Sequence, residues 1–321
     1  MKKDNRHCRI CLQSGLPEGS DYHKKCIHTL FGSGSIPDLE FGMDEVEKLA
    51  KKVIRSRVTI PGVQTKLSVD IRKSADHASK FTLVGLWGRF ILKPPTAKWP
   101  ELPADEHCTM AMAKKMGVET VPFGLINFPG GEPAYITRRV DRLQDNSKLA
   151  MEDMCQLTGR LTEDKYKGSH EQIAQIIKNW SANPVFDLVR FFDLVMFSFI
   201  SGNSDMHLKN FSLLEDPVAG WKLAPSYDLL STRLLITAAD DPEELALTLV
   251  GKKSRFRKKD FIEFGKKIGM KEKQIKNRLQ RLVKQKDTLV SIIEASQLSV
   301  ELQYQYKEIV DERIGRIKKS L

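Results

Sequence analysis

The stretch Ser201-Gly202-Asn203-Ser204-Asp205-Met206-His207-Leu208-Lys209-Asn210 is a dense polar run that directly follows the apolar run 191–200. After it come two apolar segments, 211–214 and 221–224, separated by a turn that contains proline and glycine. This strand–turn–strand pattern predicts a β-hairpin, whose two outer ends lie side by side. The second segment leads straight to Asp228, so we expect Asp228 to lie near the polar run.

Three side chains around this predicted hairpin have the chemistry of phosphoryl transfer. Transfer from Mg-ATP requires a base for the attacking hydroxyl, which Asp205 suits, and oxygen ligands for Mg²⁺, which Asn210 and Asp228 suit. Asn210 follows Asp205 by five positions, the interval between the catalytic Asp and the metal-binding Asn of protein kinases. An Asx-rich surface loop explains Asp205 and Asn210 alone. The spacing to Asp228 favours the kinase interpretation.

Length and composition predict a globular chain. Its 321 residues, 41% of them hydrophobic, suffice for a full core in one large domain or two lobes. The N-terminus has no apolar signal region, and the longest apolar run carries Asp193 and is too short to cross a bilayer. We therefore expect a cytoplasmic protein without a membrane partner. The five cysteines, an odd number, argue against a disulfide framework.

The chain is basic, with a formal net charge of +11, so its surface attracts anions such as ATP, nucleic acid or an acidic protein. The basic residues are concentrated in the region 252–286. A solvated helical face is the ordinary explanation of such a region. Direct contact of 252–286 with nucleic acid or with a tRNA-bound partner is the functional alternative.

A cluster of cysteine and histidine near the N-terminus forms a candidate zinc site. Thiolates and imidazole are the ligands that tetrahedral Zn²⁺ prefers. The alternative is a loop of reduced cysteines that pack as small hydrophobic residues. The candidate ligands are Cys8, Cys11 and Cys26 with either His23 or His28.

The region before residue 143 has a strand-rich pattern. Alternation on both sides of Pro61-Gly62 predicts a hairpin whose tip either binds phosphates through backbone N–H groups or is an ordinary β-turn. Lys93 closes an apolar strand that begins near Phe81, a position from which a lysine pairs with nucleotide phosphates in kinases. The next helix is expected to start around Ala104 and carries Glu106, which is either an ion-pair partner of Lys93 or a first-turn glutamate favoured by the helix dipole.

The rest of the pattern predicts an α+β fold with a small β-rich lobe and a larger helical lobe. A second hairpin is expected at 121–137, and 245–250 alternates like a strand. The expected divisions are an N-terminal Cys/His segment and linker (1–42), an N-terminal lobe (43–142) and a helical C-terminal lobe (143–321). Helical patterning covers 151–159, 170–179, 183–200, 258–268, 271–294 and 298–318.

These motifs together resemble the HipA family of bacterial serine/threonine kinase toxins. The resemblance extends over roughly residues 55–255 and implies a bilobal protein-kinase-like fold that uses ATP and Mg²⁺. The matching segments are 202–210, Pro225 to Thr232, Ile60 to Lys66, Leu92-Lys93-Pro94, Tyr135 to Arg142 and Glu152 to Gln156.

The resemblance also implies roles for individual residues. Asp205 corresponds to the catalytic base, and Asn210 and Asp228 correspond to the Mg²⁺ ligands. The implied ATP-binding residues lie in the phosphate loop (Gly62, Val63, Gln64 and Lys66), at the strand lysine (Lys93), in the hinge (Val140 and Asp141) and in the catalytic loop (His207 and Lys209).

Members of the family phosphorylate aminoacyl-tRNA synthetases and inactivate themselves by autophosphorylation just before the phosphate loop, a position that aligns with Thr59. Pro61 stands where some short forms have a second phosphorylatable serine, which leaves Thr59 as the main candidate. The chain reaches its phosphate loop by residue 62, so we expect the short form HipT, with antitoxins like HipS and the DNA-binding HipB. The alternatives are a small-molecule phosphotransferase and a basic nucleic-acid-binding regulator with a degenerate kinase fold.

Overall fold

The computed structural model describes residues 6–46, 48, 64–73, 79–84, 87–143, 145 and 147–318. The chain divides into two compact units. Both helices and sheets are present, so the predicted α+β class is confirmed. The first unit comprises Met1–His107, Val121–Ser147 and Ala295–Gln297, and the second comprises Cys108–Thr120, Lys148–Glu294 and Leu298–Leu321.

A six-stranded sheet, with strand order β1-β3-β2-β4-β6-β5, forms the frame of the first unit. Strand β1 runs parallel to β3, and the other neighbours are antiparallel. The predicted hairpin at 121–137 is confirmed as β5 and β6, which pair Leu125 with Tyr135. The strands are β1 (Asp38–Leu39), β2 (Leu67–Lys73), β3 (Ser79–Leu83), β4 (Phe90–Lys93), β5 (Phe123–Asn127) and β6 (Pro133–Arg138).

The expectation of one strand from Phe81 to Lys93 is wrong, because the segment forms β3 and β4 on opposite sides of β2. The connection between them closes on Ser68, whose carbonyl accepts from Val84 N at 3.0 Å and whose hydroxyl accepts from Gly88 N at 3.1 Å. A Cβ at Gly88 would lie 2.6 Å from Val69 O. Glycine at this position therefore lets the chain turn tightly against β2.

Aromatic packing holds helix α1 (Lys24–Phe31) on this sheet. The ring of Phe31 lies 5.9 Å from that of Phe81 and 6.1 Å from that of Phe90. Further along, the helix predicted from residue 43 begins at Met43 and is described as far as Val46. The expected hairpin tip at Pro61-Gly62 lies outside the described residues.

The second unit contains a three-stranded antiparallel sheet of order β7-β8-β9 and most of the helices. Its strands are β7 (Met151–Asp153), β8 (Ser212–Asp216) and β9 (Gly220–Leu223). No helix in the described part of the chain is long and apolar enough to cross a membrane. From residue 102 onwards the α-helices are α2 (Leu102–Lys115), α3 (Met154–Leu157), α4 (His170–Trp180), α5 (Pro184–Ile200), α6 (Lys258–Lys267), α7 (Glu272–Lys284), α8 (Lys286–Glu294) and α9 (Val300–Lys318).

Three secondary-structure expectations need correction. Helix 151–159 starts only at Met154, because Asp153 caps it and the three residues before it pair with β8. The helix expected over 271–294 is two helices separated at Gln285, whose N–H turns back to Leu282 O. The apolar positions of the two helices continue one helical repeat across this break, so the sequence pattern does not reveal it. Segment 245–250 is not a strand, since its pairing consists of isolated bridges such as Ser169 with Thr248.

Burial of His170 makes the stability of the protein sensitive to acid. Its ring packs among phenylalanines, and burial lowers its pKa to about 4. The unfolded chain binds this proton near pH 6.5, so the contribution of His170 to folding stability should be intact above that pH and fall by up to about 3 kcal/mol towards pH 4. Urea unfolding across this range measures the loss.

A matched variant isolates the contribution of this imidazole. His170→Phe keeps an aromatic ring in the cluster, and Thr248 O still accepts from the backbone N–H of residue 170. The variant should show a smaller loss of stability between pH 6.5 and pH 4. An unchanged loss would mean that other groups carry the acid sensitivity.

Candidate active site

The predicted hairpin after the polar run is confirmed as β8 and β9, which pair Leu213 with Leu223 and Asp216 with Gly220. The Asp216 side chain closes the turn by accepting from the backbone N–H groups of Val218 and Ala219, both at 3.0 Å. The hairpin returns the chain towards Asp228.

The polar run begins where buried helix α5 ends. Gly202 continues from the helix with φ +71°, a left-handed conformation that glycine adopts without strain. Thr232 Oγ1 then fixes the turn, since it donates to Gly202 O at 3.0 Å and accepts from Ser204 N at 2.7 Å. A residue after the hairpin thereby holds the start of the run.

Backbone groups hold Asp205 and Asn210 in one compact loop. Asp205 N donates to Asn203 Oδ1 at 3.1 Å, and Asp205 O accepts from His207 N at 2.7 Å and from Asn210 Nδ2 at 3.0 Å. Because the Asn210 amide nitrogen is used in this way, its oxygen is the remaining atom available to a cation. The two residues that sequence spacing linked are thus joined by a hydrogen bond.

Tyr166 is a partner of Asp205 that sequence reasoning missed. Its hydroxyl donates to Asp205 Oδ1 at 2.5 Å, and its ring lies 5.1 Å from that of His207. Burial and this carboxylate both raise the pKa of Tyr166, so its hydroxyl keeps the proton and remains a donor. No local motif marks Tyr166, which lies 39 residues before Asp205.

Asp228 occupies an unusual backbone conformation. Its φ is +60°, the left-handed region that costs a non-glycine residue about 1 kcal/mol and that Asp and Asn tolerate best. The preceding Tyr227 is anchored by its hydroxyl, which donates to Lys209 O at 3.0 Å and contacts Ser212 Oγ at 2.6 Å. Backbone strain of this kind is concentrated at functional sites.

The imidazole of His207 lies within electrostatic range of both carboxylates. Burial lowers the pKa of His207, whereas Asp205 and Asp228 act in the opposite direction. Its Nδ1 is buried and has no hydrogen-bond partner among the described residues. Asp205 and Asp228 thus both act electrostatically on His207, whose buried Nδ1 is left unsatisfied by the described residues.

Lys209 is already paired with a carboxylate. Its Nζ lies 2.8 Å from Asp153 Oδ2, and Asp153 also caps helix α3 through Gln156 N at 3.0 Å. The Asp153 to Gln156 capping box is visible in the sequence, but its contact with Lys209 needs the pairing of β7 with β8.

The first unit holds Lys93 against Glu106, as sequence reasoning expected. Lys93 Nζ lies 2.5 Å from Glu106 Oε1, with both side chains buried, and 5.3 Å from the centre of the Tyr135 ring. Glu106 comes from helix α2, which starts at Leu102, slightly before the expected position. This arrangement fixes a lysine at the end of β4.

The other predicted nucleotide residues of the first unit are placed as follows. Gln64 Nε2 donates to Pro94 O at 3.3 Å, and Lys66 is exposed. Val140 is half-buried, and the buried carboxylate of Asp141 is paired with Arg139 Nη2 at 2.8 Å. Thr59, Gly62 and Val63 lie outside the described residues.

The donor set in the second unit fits Mg²⁺. This ion prefers one or two carboxylate or carbonyl-type oxygens and completes its shell with water and phosphate. Asp228 supplies a carboxylate, and Asn210 supplies an amide oxygen left over from its bond to Asp205. The unsatisfied His207 Nδ1 adds a polar atom suited to a phosphate oxygen or water.

Gly202→Ala should destabilise the second unit by more than backbone strain alone. A Cβ there would lie 2.9 Å from Arg233 Cβ and 3.1 Å from Ile309 Cγ2. Gly251 has a similar φ of +77° with nothing within 4 Å of such a Cβ. We expect Gly251→Ala to cost about 1 kcal/mol and Gly202→Ala about 1 to 3 kcal/mol more, measured by urea unfolding. Equal losses of unfolding free energy in the two variants would show that Arg233 and Ile309 move aside without an energetic cost.

Sequence comparison finds similarity to HipA-like proteins and to proteins named as kinases. A family model described as HipA-like C-terminal domain matches residues 58–290. A Haemophilus influenzae protein named "Putative kinase" is 28% identical over 320 residues, with 90% of this chain and 91% of that protein covered. The serine/threonine-protein kinase toxin HipA of Shewanella oneidensis is 26% identical over 61% of this chain and 47% of that protein. This chain thus spans nearly all of the first relative and about half of the second.

Two solved structures share the fold. A chain of the Shewanella oneidensis MR-1 toxin–antitoxin complex of HipA, HipB and operator DNA has a TM-score of 0.69 and 18% identity, with 96% of this chain and 76% of that chain covered. The Helicobacter pylori proinflammatory kinase CtkA has a TM-score of 0.52 and 15% identity, with 78% and 93% covered. The kinase-like α+β fold predicted from sequence is therefore confirmed.

Proposed function

Because this chain belongs to the family of HipA-like C-terminal domains, we propose that it is an ATP-dependent protein serine/threonine kinase that acts as the toxin of a toxin–antitoxin system. It transfers the γ-phosphoryl group of ATP to a protein hydroxyl in the cytoplasm. Its Mg²⁺ ligands are Asn210 and Asp228, and its base is Asp205.

One observation carries this proposal. The loop that joins Asp205 to Asn210 by a hydrogen bond also contains His207, whose pKa responds to both Asp205 and Asp228. A base and two oxygen ligands in one small polar region are the groups that phosphoryl transfer requires. An ordinary Asx turn needs neither the strained Asp228 nor the buried, unsatisfied imidazole.

The side chains have separate roles in the proposed phosphoryl transfer. Tyr166 holds Asp205 through Oδ1, which leaves Oδ2 to accept the proton of the attacking hydroxyl. Lys93, oriented by Glu106, binds phosphate oxygens as a fixed cation. Mg²⁺ bound with the nucleotide would offset the negative charge that develops on the transferred group.

The proposed protein substrate is an aminoacyl-tRNA synthetase, and the proposed partners are antitoxins like HipB and HipS of the short-form HipT system. The Shewanella neighbour was solved with HipB and operator DNA, which supports an antitoxin of this kind. Contact between nucleic acid and the basic region 252–286 would add to binding through the antitoxin.

Autophosphorylation at Thr59 tests this function in the purified chain. Incubation with labelled ATP and Mg²⁺ should place phosphate on Thr59, and Thr59→Ala should lose that label. Thr29→Ala, at an exposed threonine of helix α1, should keep it. Absence of any labelled protein, together with normal growth of overexpressing cells, would rule out the kinase toxin. Label that appears only in small molecules of a cell extract would indicate a small-molecule phosphotransferase instead.

A further inference from the structure

Four metal-ligating side chains converge in the N-terminal segment of the first unit. One ligand atom from each of Cys8, Cys11, His23 and Cys26 lies within 4.8 Å of all the others. We propose that these residues form a tetrahedral Zn²⁺ site that fastens residues 8–26 to the edge of the six-stranded sheet. The site has no part in the proposed phosphoryl transfer and does not depend on it.

The distances from the His23 imidazole to two of the sulfur atoms suit one zinc ion. Bond lengths of about 2.3 Å to sulfur and about 2.0 Å to nitrogen place the ligand atoms of a tetrahedron about 3.6 Å apart for S···N pairs. His23 Nδ1 lies 3.4 Å from Cys11 Sγ and 3.9 Å from Cys26 Sγ. Both distances lie close to the tetrahedral value.

The orientation of His23 matches that of a metal ligand. Its Nε2 lies 3.2 Å from Ser14 O, and a carbonyl can only accept, so Nε2 carries the ring proton. The lone pair of Nδ1 is then directed at the sulfur atoms. A ligating histidine usually makes such a bond from its other nitrogen to a carbonyl or carboxylate, which fixes the tautomer and the ring.

The backbone holds the ligands in two turns. Around the first cysteine pair, Leu12 N donates to Cys8 O at 2.8 Å and Cys8 N donates to Gln13 O at 2.9 Å. The second pair consists of His23, the residue preceding helix α1, and Cys26 in its first turn, whose N–H donates to His23 O at 2.9 Å. The side chains of an N-cap residue and of the third helical residue lie beside each other, and His23 Nδ1 is accordingly 3.9 Å from Cys26 Sγ.

The structure also decides between the two histidines that the sequence offered. His28 is exposed and lies two positions beyond Cys26, on a different face of α1. It is outside the group of four convergent ligands. His23 is therefore the proposed fourth ligand.

The fastened segment covers an otherwise open strand. Strand β5 is the last of the sheet, and its Leu125 N donates to Arg9 O while its Leu125 O accepts from Tyr22 Oη, both at 2.9 Å. A Cβ at Gly124 would lie 2.8 Å from Ile10 Cγ1, so the approach is close. Covering an edge in this way prevents it from pairing with another chain.

Metal analysis of the full-length wild-type protein gives the first test. We expect about one tightly bound Zn²⁺ per chain, released when a mercurial reagent blocks the thiols. Replacement by Co²⁺ should give the intense thiolate-to-metal absorption of a tetrahedral cysteine site. A wild-type chain that binds no zinc, or an intact mass that shows a disulfide among these cysteines, would overturn the proposal.

Variants assign the ligands. Cys26→Ser and His23→Ala should lose most of the bound zinc, whereas His28→Ala and Cys155→Ala should keep it. Loss of zinc in His28→Ala with retention in His23→Ala would overturn the assignment of His23. If the ligand variants fail to fold, removal of zinc from the wild type by a chelator replaces them. Chelation should then lower the thermal midpoint reversibly, and an unchanged midpoint would contradict the proposed fastening role.

Discussion

Asp205→Asn is expected to lower phosphoryl transfer by about two to four orders of magnitude, because it removes the base that accepts the substrate proton. Asparagine has nearly the same shape and keeps an oxygen for the hydroxyl of Tyr166. The backbone bonds of residue 205 to Asn203 and His207 do not involve its carboxylate. The variant should therefore fold normally, which circular dichroism and urea unfolding can verify.

Glu215→Gln is the matched control for the loss of one carboxylate. Glu215 is exposed on β8 of the same hairpin, opposite Trp221. It should keep both labelling by ATP and toxicity on overexpression. Toxicity that survives in Asp205→Asn would show that binding, rather than phosphorylation, harms the cell.

Lys93→Met is expected to reduce both activity and stability. It leaves the buried carboxylate of Glu106 without its cation, and loss of one partner of a buried ion pair costs about 3 to 5 kcal/mol. The proposed phosphate contact disappears at the same time. Inactivity of this single variant therefore does not distinguish a role in binding ATP from a role in folding.

The double variant Lys93→Met/Glu106→Met separates the two roles. Apolar side chains that replace a whole buried ion pair are often tolerated, so most of the lost stability should return. Phosphoryl transfer should not return, because the lysine proposed to bind phosphate is still missing. Recovery of transfer in the double variant would mean that Lys93 serves only the fold.

Much of the second unit could be predicted because its signals are local. The amphipathic pattern of α4, the apolar run of α5 and the Pro/Gly turn between β8 and β9 each occupy a short stretch of chain. The hairpin then predicts that Asp228 returns towards Asp205, and the electrostatic influence of both on His207 agrees with this. The pairing of Lys93 with Glu106 was also accessible, since a strand end and a nearby helix start bring them together.

What sequence reasoning missed depends on contacts between distant segments. Tyr166 reaches Asp205 from outside any motif, and Asp153 reaches Lys209 only because β7 pairs with β8. The positive φ of Asp228 is a backbone conformation that the residue type alone does not predict. Likewise, the choice of His23 over His28 required the geometry of helix α1.

Comparison of the phosphoproteomes of cells that express the wild type and Asp205→Asn tests the central claim most directly. We predict a new phosphoserine or phosphothreonine on an aminoacyl-tRNA synthetase in wild-type cells, together with phosphate on Thr59 of the chain. Both should be missing from cells with Asp205→Asn at equal expression. Identical phosphoproteomes in the two strains would contradict the assignment of this chain as a protein kinase.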